Sequence, residues 1–496
     1  MPDPDPAGGG PAGNGDPPGD SYLAELAALV AIPSVSRDAA PDTMRAAAQW
    51  VADRLRFAGG RVDGTGGHPV VRGEWLGADG APTVLVYGHY DVQPTGDPAE
   101  WATPPFELTV DGPVLRGRGV SDDKGPVYLV LKTAQALLDA EGRLPLNVKF
   151  LIEGEEEIGS PHLPDYVTAH AAELAADLVI SADGAMWRPG EPSLSLKSKG
   201  LASLDIVAEG AVTDLHSGRY GGTVGNPLHA LSRILASLHT PDGRVAVAGF
   251  YDGIPELAPD RRAEIAAVPF DEAGYLTGLG LTEAHGEPGY TTLERLWERP
   301  TLEINGVQGG GKYTVIPHLA VAHVSSRLVP GQDPRHVLDA IAAHVAARAA
   351  AGAAPGVRVM VRRDEAAVPA YTIPAGHPAI RAAAAALETV YPGQPVLLAC
   401  IAGTLPATDL FERVLGAKTL FFSFSTADEN LHAPNEFLRT RRLREGMRAW
   451  EQLWRLLAAG PHRLGGARRW PAGADGAPGE ADGAPRDRAP REGDHD

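Results

Sequence analysis

Histidines and acidic residues concentrate in five short segments of the chain. The segments are His89-Tyr90-Asp91, Asp122-Asp123-Lys124-Gly125, the EGEEE run at 153–157, Asp183, and His432 in ENLHAPNE. Imidazole and carboxylate groups suit borderline to hard divalent cations such as zinc and manganese. Carboxylates gathered without such a cation would repel one another and resist ionising together. Any one segment alone would fit a solvated acidic loop or a structural histidine, but the five together predict a metal site.

Strands and helices predicted from the apolar pattern would position these segments. The segments that contain His89, EGEEE, Asp183 and His432 follow the runs TVLVYG (83–88), NVKFLI (147–152), DLVISA (177–182) and TLFFSFS (419–425). The Asp122 segment precedes a helix predicted at about 126–140. Short β-branched runs separated by helices are typical of an α/β domain with a buried, mostly parallel sheet. Ligands of such sheets bind outside the carboxyl ends of the strands, so we expect the five segments to meet in one crevice.

The pattern along the chain predicts an interrupted domain. Residues 21–192 and 366–463 have the α/β pattern, whereas 193–365 begins with polar and apolar residues in alternation and predicts an inserted α+β domain. Residues 1–20 and 464–496 are rich in Pro, Gly and Asp and are predicted to be disordered tails.

Composition excludes several classes of protein. With 44 Lys plus Arg and 63 Asp plus Glu, the formal charge of −19 argues against nucleic-acid or anionic-membrane partners. The single cysteine, Cys400, excludes an intrachain disulfide and cysteine-rich metal sites. No apolar run approaches the ~20 residues of a membrane span. Because the start of the chain, MPDPDPAGGG, lacks the features of a secretory signal, we expect a cytoplasmic protein.

Neighbouring acidic residues allow a division of labour. Glu156 and Glu157 point in different directions if the backbone is extended, so one can bind metal while the other acts as a general base. Asp91, two residues after His89, can orient the His89 imidazole.

Nine motifs occur over residues 88–436 in an order typical of one enzyme family. They are GHYDVQP (88–94), Trp101 with PPF (104–106), DGPVLRGRGVSDDKGP (111–126), EGEEEIGS (153–160), SADG (181–184), DLHSGRYGGTVGNP (214–227), KYTVIP (312–317), RLVP (327–330) and HAPNE (432–436). In these motifs the chain resembles metallopeptidase family 20, the di-metal aminoacylases, carboxypeptidases and dipeptidases. It most resembles the branch of cytosolic non-specific dipeptidases and carnosinases. The resemblance implies a zinc-peptidase-like catalytic domain with an inserted lid or dimerisation domain, and a homodimer.

The resemblance also implies a set of metal ligands. One divalent ion, zinc or manganese, would be held by His89 and Asp183, and a second by Glu157 and His432. Asp122 would bridge the two ions.

Further residues match catalytic and substrate-binding positions of the family. Glu156 matches the general base, and Asp91 matches the residue that orients His89. His216 matches a lid-domain histidine that crosses the dimer interface to stabilise the oxyanion in the partner's active site. Arg327 matches the arginine that binds the C-terminal carboxylate of the substrate.

Two substrate loops depart from the family pattern. The glycine-rich loop in NGVQGGGKYTVIP (305–317) is short for this branch. ACIAGTLP (399–406) keeps Gly403 and Thr404 as candidate substrate contacts but lacks an arginine expected a few residues earlier. These departures leave the identity of the substrate open.

The sequence therefore predicts a hydrolase that cleaves dipeptides or short peptides with a free C-terminal carboxylate. An N-acyl-amino-acid or acyl-diamine deacylase of the same family is the alternative, because it would use the same metals and glutamate. A non-catalytic metal-binding protein is a more distant alternative, since Glu156 and every expected ligand are present.

Overall fold

The computed structural model describes residues 19–311, 313–364, 367–401 and 403–460. The tails predicted at 1–20 and 464–496 lie outside these residues, apart from Gly19 and Asp20. Asp20 is the first residue of a helix rather than part of a tail.

Helices and strands alternate along most of the described chain. The α-helices are α1 Asp20–Val30, α2 Pro41–Arg54, α3 Lys124–Glu141, α4 Leu163–Ala169, α5 Ala171–Leu174, α6 Ser217–Tyr220, α7 Pro227–Ala236, α8 Pro259–Ala266, α9 Glu272–Gly278, α10 Thr292–Glu298, α11 Pro334–Arg348, α12 Pro378–Val390, α13 Pro406–Leu415 and α14 Thr440–Ala459. The strands are β1 Arg61–Asp63, β2 Val70–Trp75, β3 Thr83–His89, β4 Thr109–Asp111, β5 Val114–Arg116, β6 Asn147–Glu153, β7 Leu178–Ser181, β8 Ser193–Ser198, β9 Gly200–Glu209, β10 Leu215–His216, β11 Thr301–Gln308, β12 Val315–Ile316, β13 Leu319–Leu328, β14 Arg358–Arg363, β15 Tyr371–Thr372, β16 Leu397–Ile401, β17 Thr419–Phe421 and β18 Phe437–Arg439.

The largest sheet has six strands in the order β1-β2-β6-β3-β7-β17. Strands β6, β3, β7 and β17 are parallel, whereas β1 and β2 add an antiparallel edge. Along β3, Val84 and Val86 belong to one hydrophobic core, and the alternate residues Leu85 and Tyr87 belong to another. Both faces of this sheet are therefore covered, which explains why the strand is a continuous apolar run. The prediction of an α/β fold with a mostly parallel sheet is confirmed.

A separate antiparallel sheet has the order β11-β13-β9-β14. Residues Leu204 and Ile206 of β9 pack with Leu231 of α7 and Ile341 of α11 in a core of their own. Polar and apolar residues alternate on β9 because the helices cover only one face of the sheet.

Strand β8 connects the two regions. It runs parallel to β16 and antiparallel to β15, with Tyr371 opposite Ser198. Just beyond this pair, Leu201 and Val368 form an antiparallel bridge. The inserted domain at 193–365 stays a prediction, but these pairings tie its first six residues to the last part of the chain.

The apolar pattern of the sequence favours a helix over 437–458, but helix α14 begins only at Thr440, because Phe437–Arg439 pairs with β5 as the short strand β18. Helix α2 has Ala40 as its N-cap and Pro41 as its first residue, so Asp42 lies in the first turn rather than at the cap. No helix of the described residues is long and apolar enough to cross a membrane.

Candidate active site

Four adjacent parallel strands bring their carboxyl ends to one edge of the large sheet. His89 ends β3 and is paired with Glu153, the last residue of β6. The ends of β3 and β6, and the loops that follow β6, β7 and β17, carry the predicted site residues His89, Glu156, Glu157, Asp183 and His432. The structure thus gathers the predicted segments in one crevice, as the position of ligand sites in parallel sheets suggests.

Two groups of potential metal ligands share Asp122. One group is His89, Asp122 and Asp183, and the other is Asp122, Glu157 and His432, with the ligand atoms in each group within 4.8 Å of one another. Asp122 Oδ1 lies 3.1 Å from His89 Nε2, and Asp122 Oδ2 lies 3.0 Å from His432 Nε2. Four ligands arranged tetrahedrally around zinc are about 3.3–3.6 Å apart, as follows from bonds of about 2.0–2.2 Å. The donor types and spacings therefore fit divalent cations on both sides of Asp122.

The charges in the crevice also favour cations. Burial and, after it, the neighbouring charge of Asp122 raise the pKa of Asp183 to about 7. Burial likewise raises the pKa of Glu156 well above its usual range. Hydrogen bonds to Asp122 and Glu157 raise the pKa of His432 to about 10. These groups hold protons unusually tightly because the carboxylates are buried close together, and divalent cations would supply the positive charge that the crevice lacks.

Asp91 contacts both the His89 imidazole and the turn that contains the two glutamates. Its backbone oxygen is 3.0 Å and its Oδ1 is 3.4 Å from His89 Nδ1. Its two carboxylate oxygens accept the backbone N–H groups of Glu156 and Glu157, at 3.3 and 3.1 Å. Asp91 thus lies where it can fix both the imidazole and the adjacent glutamates.

Only the last two glutamates of EGEEE lie at the ligand groups. Glu153 is buried and accepts hydrogen bonds from Tyr87 Oη and Ser160 Oγ. Glu155 accepts the backbone N–H of His68 and contacts the His162 ring. The first two glutamates, Glu153 and Glu155, therefore hold the surrounding loops together.

Two residues that contact the candidate ligands, Gln93 and Glu436, were given no role from the sequence. Gln93 donates from Nε2 to Glu157 Oε2 at 2.8 Å. Glu436 is fully buried and accepts the backbone N–H of Asp122 at 3.1 Å. Both lie inside motifs of the resemblance, GHYDVQP and HAPNE, but a motif letter alone does not say what a side chain contacts.

The loop that carries Asp122 needs a glycine at the start of α3. A Cβ on Gly125 would lie 2.0 Å from the carbonyl oxygen of Val120. Since such a contact is impossible without moving the backbone, only glycine lets the loop fold this closely onto the helix.

The predicted substrate-binding residues Arg327, Gly403 and Thr404 lie together, whereas the predicted catalytic residue His216 lies elsewhere. Arg327 Nη1 donates to Thr404 Oγ1 at 2.9 Å, and the carbonyl oxygen of Gly403 accepts the backbone N–H of Lys199. His216 is exposed, and its Nδ1 accepts the backbone N–H of Gly218. Among the described residues, no hydrogen bond or ion pair joins His216 to either ligand group.

The fold and the site together define a class of protein. A mostly parallel sheet presents two potential ligand groups that share Asp122, with Glu156 beside them. This arrangement is typical of hydrolases that hold a pair of divalent cations. The sequence profile of peptidase family M20/M25/M40 matches residues 85–456, so the chain belongs to this family. The family resemblance and the prediction of an amide-bond hydrolase are confirmed.

Curated relatives and solved structures agree with this assignment. The Cys-Gly metallodipeptidase dug1 of Schizosaccharomyces pombe is 31% identical over 347 residues, which cover 66% of this chain and 73% of the relative. The Beta-Ala-His dipeptidase of Rattus norvegicus is 27% identical over 440 residues, or 84% of this chain and 89% of the relative. The M20 family metallo-carboxypeptidase Sso-CP2 from Sulfolobus solfataricus superposes with a TM-score of 0.78 at 30% identity, covering 89% of this chain and 100% of that one.

Removing the charge of Asp183 should stabilise the metal-free protein. The raised pKa of Asp183 means that its contribution to stability is complete below about pH 4 and is lost as the pH rises through about 7. Without metal at pH 8, we expect Asp183→Asn to raise the free energy of unfolding by about 1–3 kcal/mol. The gain should shrink at pH 5, where the buried carboxyl is protonated.

Thermal unfolding with a chelator or with zinc measures both effects. Zinc should raise the melting temperature of the unsubstituted protein more than that of Asp183→Asn, because a ligand stabilises the state that binds it. If Asp183→Asn were less stable than the unsubstituted protein at pH 8 without metal, the cost assigned to the buried Asp183 charge would be contradicted.

Proposed function

We propose that this protein is a di-metal peptidase that hydrolyses the amide bond of dipeptides, or of short peptides with a free C-terminal carboxylate. The observation that carries the proposal is the sharing of Asp122 by two ligand groups next to Glu156. The names of the curated relatives, a Cys-Gly metallodipeptidase and a Beta-Ala-His dipeptidase, support dipeptides as substrates.

Five side chains would hold the two ions. His89 and Asp183 form one set, Glu157 and His432 form the other, and Asp122 belongs to both. A bound pair of divalent ions would lower the pKa of water and polarise the amide carbonyl. Zinc or manganese as the ion, and the cytoplasm as the compartment, stay predictions from the sequence.

Glu156 would move the proton. Its carboxylate makes no hydrogen bond to another described residue, while its backbone N–H is fixed by Asp91. The glutamate can therefore accept a proton from the attacking water and deliver it to the leaving amine. Burial, which raises the pKa of Glu156, helps the side chain to keep the proton between the two transfers.

Arg327 would recognise the substrate carboxylate. It is half-buried and forms no ion pair with a described residue, and burial lowers the pKa of its guanidinium. A partly buried cation without a counter-charge is unfavourable, and a ligand carboxylate would remove that cost through two parallel hydrogen bonds. Thr404 already accepts a hydrogen bond from Arg327 and would hold the guanidinium in place, while Gly403 would line the same substrate loop.

His216 would act in the active site of a second subunit. Its exposure and its lack of contact with the ligand groups of its own chain support a role across an interface. In a homodimer it would donate a hydrogen bond to the developing oxyanion.

A substrate panel tests the reaction. We expect the protein loaded with zinc or manganese to cleave dipeptides and to cleave their C-terminally amidated forms at least tenfold more slowly, because the amide removes the charge that Arg327 would bind. Preferential cleavage of N-acetyl amino acids would instead identify a deacylase. Absence of hydrolysis with two ions bound would favour a non-catalytic protein.

Glu156→Gln tests the general base. The variant should lose at least about a hundredfold in kcat, because the amide cannot accept the proton. Its metal content should stay near that of the unsubstituted protein, which elemental analysis measures. Loss of metal in this variant would place Glu156 among the ligands and refute its assignment as the base.

Mixed dimers test His216. Glu156→Gln and His216→Ala should each be inactive alone, but a mixed dimer would contain one site with both intact residues. Equal co-expression should then restore about a quarter of the full activity, since half of the dimers are mixed and each has one working site. If His216 acted within its own chain, the mixture would stay inactive.

A further inference from the structure

We propose that Glu436 is a positioning residue that ties the shared ligand Asp122 to the ligand His432, so that the two halves of the metal site form together. The inference rests on the proposed di-metal function, and it assigns a task to a residue that touches neither metal nor substrate.

The Asp122 loop is folded around one buried carboxylate. Glu436 has no exposed surface, and its side chain accepts four hydrogen bonds. Oε1 accepts the backbone N–H groups of Ser121 (2.9 Å) and Asp122 (3.1 Å), and Oε2 accepts the backbone N–H of Gly119 and an Arg118 N–H (both 2.9 Å). Because three of the four donors are main-chain groups, Glu436 fixes the backbone position from which the Asp122 side chain extends.

The same residue belongs to the loop that presents His432. Only three residues separate the two, and His432 and Asn435 both have left-handed backbone angles, with φ of 61° and 63°. Such angles are unfavourable for histidine and less so for asparagine, so contacts at the ends of the loop must maintain them.

Asn435 and Glu436 supply those contacts. Asn435 accepts the backbone N–H of Ala102 at 2.6 Å and donates to the carbonyl oxygen of Glu100 at 2.8 Å. The backbone oxygen of Glu436 accepts the N–H of Gly117, next to the pairing of β18 with β5.

These contacts connect Asp122, Glu436 and His432 in a closed ring. The Asp122 backbone is bound by Glu436, the loop leads back from Glu436 to His432, and His432 Nε2 returns to Asp122 Oδ2 at 3.0 Å. A displacement of the Glu436 carboxylate would therefore move a ligand of each metal group at once.

The substitution Glu436→Gln tests the hydrogen bonds that Glu436 accepts, with little change in the shape of the side chain. A glutamine of nearly the same shape offers one acceptor oxygen, and its NH₂ group would face N–H donors on the other side. Two of the four donors would lose their acceptor whichever way the amide is turned.

Glu429 provides a matched control in the same loop. It is also fully buried, and its carboxylate also accepts four hydrogen bonds, from Ser121 Oγ, the Thr426 backbone N–H, and the backbone and side chain of Arg439. It binds no main-chain N–H of residues 117–122. Glu429→Gln should therefore weaken folding to a similar extent without displacing the Asp122 backbone.

The positioning role of Glu436 is tested by calorimetric titration of the metal-free full chain with zinc. The melting temperature of each variant is measured as well. We expect the unsubstituted protein to bind two ions, Glu436→Gln to bind the weaker of them at least tenfold less tightly, and Glu429→Gln to stay within about twofold. The two variants should have similarly lowered melting temperatures without metal. If Glu436→Gln does not fold, Glu436→Asp replaces it in the same titration. Aspartate keeps the charge but is too short to reach all four donors.

The outcomes separate the two proposals. If the unsubstituted protein fails to bind two ions, the proposed function is wrong. If it binds two ions and both variants bind them equally well, or lose them equally, Glu436 has no special positioning role and the inference is overturned while the function stands.

Discussion

Repulsion between buried carboxylates is the constraint on which this structure depends. Asp122, Glu156, Glu157 and Asp183 come from three separate loops, yet they share one crevice with His89 and His432. Burial first, and then the neighbouring carboxylates, raise the pKa values of Glu156 and Asp183. The surrounding structure has to hold these groups together against their repulsion, and it does so mainly through backbone N–H groups. Asp91 fixes the Glu156 turn and Glu436 fixes the Asp122 loop in this way.

The sequence was sufficient to predict the mostly parallel sheet and the edge at which the candidate residues lie, because the central strands have a clear apolar pattern. Strand β3 is buried on both faces and therefore appears as an unbroken apolar run, and His89 and Asp183 come at or just after the ends of such runs. Parallel strands must end at the same edge, so the strand assignment brings His89, the EGEEE segment and Asp183 together, whereas Asp122 reaches them from the loop before α3. A strand of only three residues is too short to show such an apolar run. Strand β18 has the same pattern as the helix that follows it, and only its pairing with β5 separates the two.

Contacts between distant segments were beyond sequence reasoning. More than 300 residues lie between Asp122 and Glu436, and Gln93 reaches Glu157 across two loops. Nothing in the local pattern distinguishes a glutamate that binds backbone N–H groups from one that binds metal. The five glutamate-rich positions 153–157 illustrate the difficulty, since Glu153 and Glu155 turn to Tyr87 and His162 instead. Likewise, nothing in the sequence indicates that Arg327 and Thr404, which are 77 positions apart, form a hydrogen bond.

The pairing of β8 with β15 has an evolutionary consequence. The chain leaves for the four-stranded sheet just after Ser198 and returns just before Tyr371, and these two residues are hydrogen-bonded neighbours. A segment whose ends are so close can be gained or deleted with a short splice, leaving the large sheet intact. Because Leu293 and Trp297 of this segment pack against Ala399 and Cys400, we expect shorter relatives, in which a tight turn replaces residues 200–368, to carry more polar residues at those two positions.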